Sequence, residues 1–361
     1  MQWLPVILIV PYLILLLYIY RGLLRITSFK ADSEPLEFVS VVVACRNEEK
    51  SLPKLLDCLS DQDYPPDLYE VIIVNDNSTD KTFETASSCI GKFSINTINN
   101  TGTGKKKAIE SGINIASGRL IITTDADCTP GKNWIRTIAS FYENRKPDLI
   151  ICPVQLSTMP GFFGKFQELE FLSLQGITAG TASNGNPILC NGANLAFTKD
   201  SYIKHSGNLH HEVASGDDVF LLHSMKKDPQ SKLLWLESPE ARMTAASSPT
   251  IQTFIKQRNR WISKSGSISD FYTIILGIVT FVTILIQPIL LIAGFFDPEL
   301  LIIFLVTFAL KSIPDFLILH NTTLRYEKGS LMKWFMLSQI IYPYYALFVI
   351  TKPIHSGKTW N

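Results

Sequence analysis

Two aspartates that close an apolar run have the type and spacing that most directly indicate chemistry. The stretch 120–128 reads LIITTDADC, and Asp125 and Asp127 end it with a single alanine between them. Alternate residues of an extended strand share a face, so both carboxylates leave the strand on the same side. Paired carboxylates at the C-terminal edge of a parallel sheet suit Mg or Mn that holds a diphosphate. An ordinary acidic turn is the alternative for so short a pattern.

A second acidic pair, Asp217 and Asp218, lies in the stretch SGDDVFLLH at 215–223. Transfer of a group to a hydroxyl needs a base that accepts the hydroxyl proton and a means of stabilising the departing diphosphate. A metal held by Asp125 and Asp127 can stabilise the departing diphosphate. One of Asp217 and Asp218 is then left to act as the base. The alternative is an acidic helix N-terminus, where carboxylates are favoured for electrostatic reasons alone.

Polar residues follow other predicted strands, at positions where a nucleotide can bind. A turn at 44–48 can meet a base ring or a phosphate through its backbone, an aspartate at 76 can accept from a base or a ribose hydroxyl, and a glycine-containing loop at 102–105 offers an amine to a phosphate. Polar strand-end turns are common in α/β proteins, which is the alternative for each of them. The residues concerned are Ala44, Arg46, Glu48, Asp76 and Lys105.

A basic and aromatic motif, QRNRW, occupies 257–261 on a predicted helix just before a long apolar run. Arg260 can neutralise diphosphate charge, and Trp261 can stack on the C–H face of a sugar ring. Gln257 opens the motif. A juxtamembrane anchor has the same composition and is the alternative.

Alternating strand and helix patterns must position these residues. The runs 38–44 (FVSVVVA) and 70–75 (EVIIVN) are typical of strands buried on both faces, and 51–60 carries leucines at helical spacing. A further helix over 105–117 leads to the strand that ends at the first acidic pair. This alternation of three strands with two helices predicts a parallel sheet with right-handed crossovers. The aromatic-rich stretch 162–177 is predicted to be a helix at a membrane surface, beside an acceptor, or in a core.

Long uncharged stretches lie only near the two ends of the chain. The runs 3–20, 271–295 and 334–350 carry no charge, and 300–319 is apolar except for Lys311 and Asp315, which can pair at i and i+4 on one helix face. Basic residues follow the first run, and others lie between the last two runs. They predict that these two flanks are cytosolic, and with them the long middle region of the chain.

Composition excludes some classes of protein. The 361 residues carry 33 basic and 32 acidic side chains, so bulk charge gives no indication of nucleic-acid binding. The six cysteines form no CxxC or zinc pattern, which favours free thiols in a reducing compartment. This composition fits a bacterial inner membrane protein.

Taken in order, the motifs resemble those of the family 2 glycosyltransferases, in particular the membrane-embedded group with cellulose, chitin and hyaluronan synthases and ceramide glucosyltransferase. The resemblance covers about 39–261. Its motifs are VVVACRNEE, VNDNSTD, GTGKKKAIESGI, TTDADC, CNGANLAF, GDD and QRNRW.

The resemblance implies an α/β fold of the GT-A type, a nucleotide-diphospho-sugar transferase with a Rossmann-like parallel sheet, here combined with transmembrane helices. It also implies inverting, Mg- or Mn-dependent transfer from a nucleotide sugar, usually a UDP-sugar. By position, Asp76 matches the nucleoside-binding aspartate, Asp125 and Asp127 the metal and diphosphate motif, Asp218 the base, and QRNRW the QxxRW motif. Asn191, Gly192 and Asp217 are assigned to the acceptor region.

The expected organisation is a transmembrane helix at 1–30, a cytosolic GT-A domain at 31–268 and a membrane domain with about three helices at 269–361. So few spans favour transfer of one or a few sugars to a lipid or glycan acceptor over export of a polymer. A catalytically silent membrane subunit that binds nucleotide or a partner protein is the alternative function. A nucleotidyltransferase on a similar sheet is a third.

Overall fold

The computed structural model describes residues 3–32, 34–89, 91–208 and 216–351, so Ser215 of the GDD stretch lies outside the described residues. The chain divides into two compact units. The sheet unit contains the described residues of Thr27–Ser157 and Gly185–Ala246. The helical unit contains those of Met1–Ile26, Thr158–Asn184 and Ser247–Ser356.

Ten strands belong to the sheet unit. They are β1 (Val39–Cys45), β2 (Tyr69–Asn75), β3 (Ser94–Asn99), β4 (Leu120–Asp125), β5 (Thr129–Pro130), β6 (Leu149–Ile151), β7 (Val154–Leu156), β8 (Leu195–Thr198), β9 (Leu233–Trp235) and β10 (Met243–Ala245). Seven form a sheet in the order β3-β2-β1-β4-β8-β6-β9, and three form a second sheet in the order β5-β10-β7.

Thirteen α-helices lie within the described ranges. They are α1 (Leu4–Leu8), α2 (Val10–Leu24), α3 (Leu52–Ser60), α4 (Thr82–Ser87), α5 (Lys105–Ile115), α6 (Trp134–Arg145), α7 (Gly161–Ser183), α8 (Lys199–His205), α9 (Asp217–Lys226), α10 (Ile251–Ile262), α11 (Phe271–Gly294), α12 (Pro298–Arg325) and α13 (Phe335–Thr351). Helices α3 to α6, α8 and α9 belong to the sheet unit, and the others to the helical unit.

The α/β fold class and its parallel strands are confirmed. Strands β1, β2, β3 and β4 are mutually parallel, and every residue of β1 and β2 is buried. Runs of β-branched residues produce this pattern because a central strand covered by helices on both faces has no polar side. Helix α5 lies close to the sheet, since a Cβ at Gly112 would meet the side chains of Val42 and Val74.

Strand β8 departs from the parallel pattern, because it runs antiparallel to both β4 and β6. The chain leaves the sheet unit after Ser157, forms α7, and returns at Gly185. Strand β8 then starts beside the C-terminal end of β4, where Leu195 pairs with Thr123, and runs back to pair Thr198 with Leu120. The turn before β8 therefore lies at the same sheet edge as the DxD aspartates.

The predicted transmembrane helices are confirmed in their length and composition. Among the described residues, four helical segments are long and apolar enough to cross a membrane: Leu4–Leu24, Phe271–Gly294, Pro298–Arg325 and Gly329–Thr351. The predicted i,i+4 pair is also confirmed, since Lys311 Nζ lies 2.6 Å from Asp315 Oδ2. Tyr12 and Gln339 join this pair through hydrogen bonds of 2.6 and 2.7 Å.

Helix α7, which contains the aromatic-rich stretch, packs inside the helical unit. Leu169 and Leu172 belong to one buried apolar cluster, with Leu319 from α12, Tyr326, Leu331 and Phe335 as the other members. The structure therefore favours the core alternative among the three that the sequence left open.

Glycines allow α2 and α7 to approach closely. A Cβ at Gly22 would lie closer than 3.0 Å to the backbone oxygen of Gly180 and to the side chain of Asn184. We expect Gly22→Ala to lower the free energy of unfolding of the helical unit by about 1–3 kcal/mol, because the backbones must separate. Gly277 in α11 has nothing within 4 Å of its Cβ position. Gly277→Ala is the matched control, and equal thermal shifts for the two variants in detergent would contradict the packing.

Candidate active site

The C-terminal edge of the parallel strands gathers the first group of predicted residues. Ala44 on β1 pairs with Asp125 on β4, and Cys45 on β1 pairs with Asn75 on β2. The chain leaves these three strands at the same edge, so the residues that follow them lie together. This is the edge at which ligands bind in open α/β sheets.

The DxD carboxylates form a compact cluster with the next residue. Ligand atoms of Asp125, Asp127 and Cys128 all lie within 4.8 Å of one another. Asp125 is half-buried, Asp127 is exposed and Cys128 is buried. Loss of solvent around its carboxylate and then the charge of Asp125 raise the pKa of Asp127, although its side chain keeps an exposed face. The three ligand atoms are close enough together to hold one metal ion.

Lys105 at the start of α5 provides a positive charge at this edge. Its ammonium forms an ion pair with Asp125 Oδ1. Burial by itself would lower the pKa of Lys105, but the negative charges of Asp125, Asp217 and Asp218 outweigh burial and raise it. The carboxylates of Asp125, Asp217 and Asp218 thus all favour the charged form of this ammonium group.

Asp218 is oriented by the turn that precedes β8. Gly192 N–H donates to Asp218 Oδ2 at 2.9 Å, and Val219 N–H donates to Oδ1 at 2.8 Å. The carbonyl oxygen of Gly192 accepts from Thr123 Oγ1 of β4 at 3.2 Å. Asn191 closes the turn by accepting from Ala193 N–H at 3.0 Å. Asp217 and Asp218 begin α9, so the helix N-terminus also favours their charge.

Asp76 follows β2 and is fully buried. Its Oδ1 accepts from Asn100 Nδ2 at 2.7 Å, and Gly104 N–H donates to both of its carboxylate oxygens at 2.9–3.0 Å. Gly104 has a φ of +93°, a conformation that favours glycine. In this structure Asp76 therefore anchors the loop that delivers Lys105.

The turn after β1 adds a third carboxylate near the DxD pair. Burial raises the pKa of Glu48, a bond from Ser51 opposes that effect, and the charges of Asp127 and Asp125 add to it. Arg46 in the same turn is half-buried, and its Nε is buried without a hydrogen-bond partner among the described residues. Ala44 is buried within β1.

Gln257, Arg260 and Trp261 lie together on α10, which belongs to the helical unit. Arg258, to which the QxxRW pattern gives no role, contacts two of these residues. Its Nη1 donates to Gln257 Oε1 at 2.5 Å, and its guanidinium lies 4.1 Å from the centre of the Trp261 ring. The predicted residues thus fall into two groups, one in each unit.

Sequence reasoning also missed buried residues that hold these groups in place. Asn194 is fully buried, donates to the carbonyl oxygens of Pro153 and Ala241, and accepts from Trp134 Nε1 at 2.9 Å. Glu170 on α7 accepts from Arg258 Nε and Nη2 at 2.8 and 2.5 Å. The carboxylates of Glu168 and Glu170 in an otherwise apolar, aromatic helix were the signal for buried partners.

The mixed α/β sheet, with its parallel strands and acidic C-terminal edge, has a fold of the GT-A type. The sequence pattern of the family described as Glycosyl transferase family 2 matches residues 40–206. Over this segment, which is just under half of the chain, the sequence is similar to the glycosyltransferases of that family.

Two named relatives illustrate the range of the family. Glycosyltransferase AglE of Haloferax volcanii is 27% identical over 187 residues, which cover 51% of this chain and 60% of that protein. A poly-beta-1,6-N-acetyl-D-glucosamine synthase of Staphylococcus epidermidis is 25% identical over 261 residues, which cover 70% of this chain and 60% of that protein. The matches thus leave more than a third of each relative uncovered.

One solved structure supports the fold over almost the whole chain. The mannosyltransferase PcManGT from Pyrobaculum calidifontis, in complex with GDP-Man and Mn2+, superposes with a TM-score of 0.58 at 15% identity and covers 97% of this chain and 99% of its own. At this identity the likeness concerns the fold.

Proposed function

We propose that the protein is an inverting, metal-dependent glycosyltransferase that moves a sugar from a nucleotide sugar, with a UDP-sugar as the expected donor, to a hydroxyl of a membrane lipid or a growing glycan. The observation that carries the proposal is the turn at Gly192, which donates to Asp218 and accepts from Thr123 of β4, the strand that ends at the DxD pair. A transferase needs both a site for the diphosphate and a base for the acceptor, and this arrangement brings candidates for both together. The proposal places the protein in polysaccharide or glycolipid synthesis.

The residues at the edge fit a divalent cation. Asp125 and Asp127 supply carboxylate oxygens, which are ligands that Mg and Mn prefer, and their ligand atoms lie within 4.8 Å of one another. A bound cation would stabilise negative charge on the leaving diphosphate. Lys105 and Arg46 carry further positive charge at the same edge, suited to phosphate oxygens.

Asp218 is the proposed base. The bonds from Gly192 and Val219 fix its carboxylate, which orients it for an acceptor hydroxyl. Asn191, Gly192 and Asp217 border this carboxylate and are proposed to contact the acceptor. Gln257, Arg260 and Trp261 are proposed to contribute to the donor site from α10, and Asp76, Ala44 and Glu48 to shape the nucleoside site.

We further propose that residues 31–268 act on the cytosolic side of a bacterial inner membrane. The four candidate spans flank this segment, one before it and three after it. Basic Arg325, Lys328 and Lys333 lie at the facing ends of the last two spans or between them, whereas Asp297 and Glu299 lie at the preceding connection and the start of the span that follows it. This bias follows the positive-inside rule for a cytosolic catalytic segment.

Metal removal tests the proposal directly. Purified full-length protein in detergent should release nucleoside diphosphate from a panel of UDP- and GDP-sugars when Mn and a lipid extract are present. EDTA should abolish the release, and Mn or Mg in excess should restore it, because the carboxylate pair requires a hard cation. The control is monovalent salt at matched ionic strength. Nucleotide binding without product across the whole panel would contradict the proposal and favour a silent subunit.

A further inference from the structure

One carboxylate of the DxD pair already has a cationic partner within the protein. The ammonium of Lys105 forms an ion pair with Asp125 Oδ1, and the two side chains are 22% and 35% exposed. Asp127, the other member of the pair, accepts a long bond of 3.7 Å from Cys128 Sγ. The positive charge at Asp125 is thus supplied by the chain itself.

This ammonium lies at the edge of the candidate metal cluster. The ligand atoms of Asp125, Asp127 and Cys128 lie within 4.8 Å of one another, and Lys105 contacts the first of these residues. Charges a few ångströms apart interact more strongly at partly buried sites than in water, because the effective dielectric constant is lower. A divalent cation that binds both carboxylates would therefore be repelled by Lys105 and would compete with it for Asp125.

The backbone that carries Lys105 is fixed independently of the ion pair. Gly104 N–H donates to both oxygens of the fully buried Asp76, at 3.0 and 2.9 Å. The side chain of Asn100 donates to the same carboxylate at 2.7 Å and to the carbonyl oxygen of Gly104 at 3.4 Å. A lysine charge stands on a flexible four-carbon stem, so Lys105 can exchange partners while the start of α5 stays in place.

We propose that Lys105 is an internal competitor of the divalent cation and that a nucleoside diphosphate removes this competition. While the ammonium pairs with Asp125, it weakens the binding of Mg or Mn. The phosphate oxygens of a nucleotide offer the ammonium a second anionic partner, and Asp125 becomes available when Lys105 turns to them. Affinity for the cation is therefore high only when the nucleotide is bound, and the two affinities are linked.

The inference rests on the proposed function for the nucleotide and the metal, and it adds how one ligand controls the affinity for the other. A purely structural ion pair is the alternative. The bonds to Asp76 already hold the loop before α5, and β4 holds Asp125 by pairing with Ala44 of β1. An ion pair this exposed contributes little to stability, so neither backbone needs the contact between Lys105 and Asp125.

Opposite effects of Lys105→Met on two ligands test the proposal in full-length protein in detergent. Binding of Mn2+ without nucleotide is measured from the paramagnetic resonance signal of the free ion, and we expect the variant to bind about tenfold more tightly than the wild type. Binding of UDP in EDTA is measured by calorimetry, and it should weaken about tenfold, because the phosphates lose their ammonium partner. A variant that had lost its fold would bind both ligands less well.

Two control variants separate the contact from general charge. Lys105→Arg keeps the positive charge and should bind Mn2+ like the wild type. Lys107→Met removes a positive charge from the same helix, but Lys107 pairs with Glu110 and its side chain is 48% exposed, so neither affinity should change.

Unchanged or weaker Mn2+ binding in Lys105→Met, unchanged UDP binding in that variant, or an equal gain of Mn2+ affinity in Lys107→Met would overturn the proposal. Failure of the wild type to bind Mn2+ even with UDP present would overturn it together with the proposed metal site. Mn2+ and UDP binding that is the same in the wild type and in Lys105→Met would overturn this inference alone and leave the proposed function standing.

Discussion

Asparagine at position 218 is expected to lower kcat by about 100- to 10,000-fold, the range that a positioned general base contributes. The substitution keeps the shape of the side chain, and its single amide oxygen can still accept from Gly192 N–H while the bond from Val219 N–H is lost, so the turn before β8 should remain in place. Affinity for the nucleotide sugar should change little, because the DxD carboxylates and Lys105 are untouched. Turnover and donor binding are measured separately, by release of nucleoside diphosphate and by calorimetry.

Two companion variants make the result specific. Asp200→Asn has the same chemistry at a side chain that is 81% exposed and only weakly paired with Arg119, so its kcat should match that of the wild type. Asp217→Asn tests whether the neighbouring carboxylate is the base instead. The kcat of this variant should stay well above that of Asp218→Asn. Unchanged turnover in Asp218→Asn would remove this residue as the base, and a larger loss in Asp217→Asn would transfer the role to its neighbour.

Local patterns were sufficient to predict the strands that position the DxD edge. The runs that became β1, β2 and β4 are continuous and β-branched, and a strand covered on both faces leaves few other arrangements. The Lys311–Asp315 contact was also predictable from local sequence, because residues at i and i+4 lie on the same face of a helix. Tyr12 and Gln339 complete that network from other helices, and no local spacing indicates them.

The contacts that the predicted residues make with one another depend on how distant parts of the chain meet. The direction of β8, and with it the contact from Gly192 to Asp218, follows from the exit of the chain into α7 and its return at the DxD edge. Lys105 was predicted to meet a phosphate, but the structure pairs it with Asp125. Both facts concern tertiary contacts, which hydrophobic periodicity does not encode.

Arg258 lies inside the QxxRW motif but is not one of the residues that the motif specifies. The QxxRW pattern gives roles to Gln257, Arg260 and Trp261 and none to the arginine at position 258. That arginine is only 5% exposed, bonds in a bidentate manner to a Glu170 carboxylate that is 9% exposed, and stacks on Trp261. Tyr345 on α13 donates to the same carboxylate at 3.2 Å, so three helices meet at this ion pair.

We therefore expect Arg258→Met to lower the free energy of unfolding of the helical unit by about 3–5 kcal/mol, because it leaves a buried carboxylate without a compensating charge. Methionine keeps much of the apolar stem, so the loss reports on the charge more than on packing. Lys256→Met on the same helix is the control: its side chain is exposed, and the change should stay within about 0.5 kcal/mol. Denaturation in mixed detergent micelles, followed by tryptophan fluorescence, measures each variant.

The double variant Glu170→Gln with Arg258→Met decides whether the pair itself is responsible. Removal of both charges leaves no unpaired ion, so the double variant should be more stable than Arg258→Met alone, with a coupling energy of about 2 kcal/mol or more. Simple additivity would show that the two side chains act independently, and Arg258 would then have no special role in the helix that carries QxxRW. A positive coupling accompanied by weaker donor binding in Arg258→Met would instead show that this ion pair positions Gln257 and Trp261, which Arg258 contacts directly.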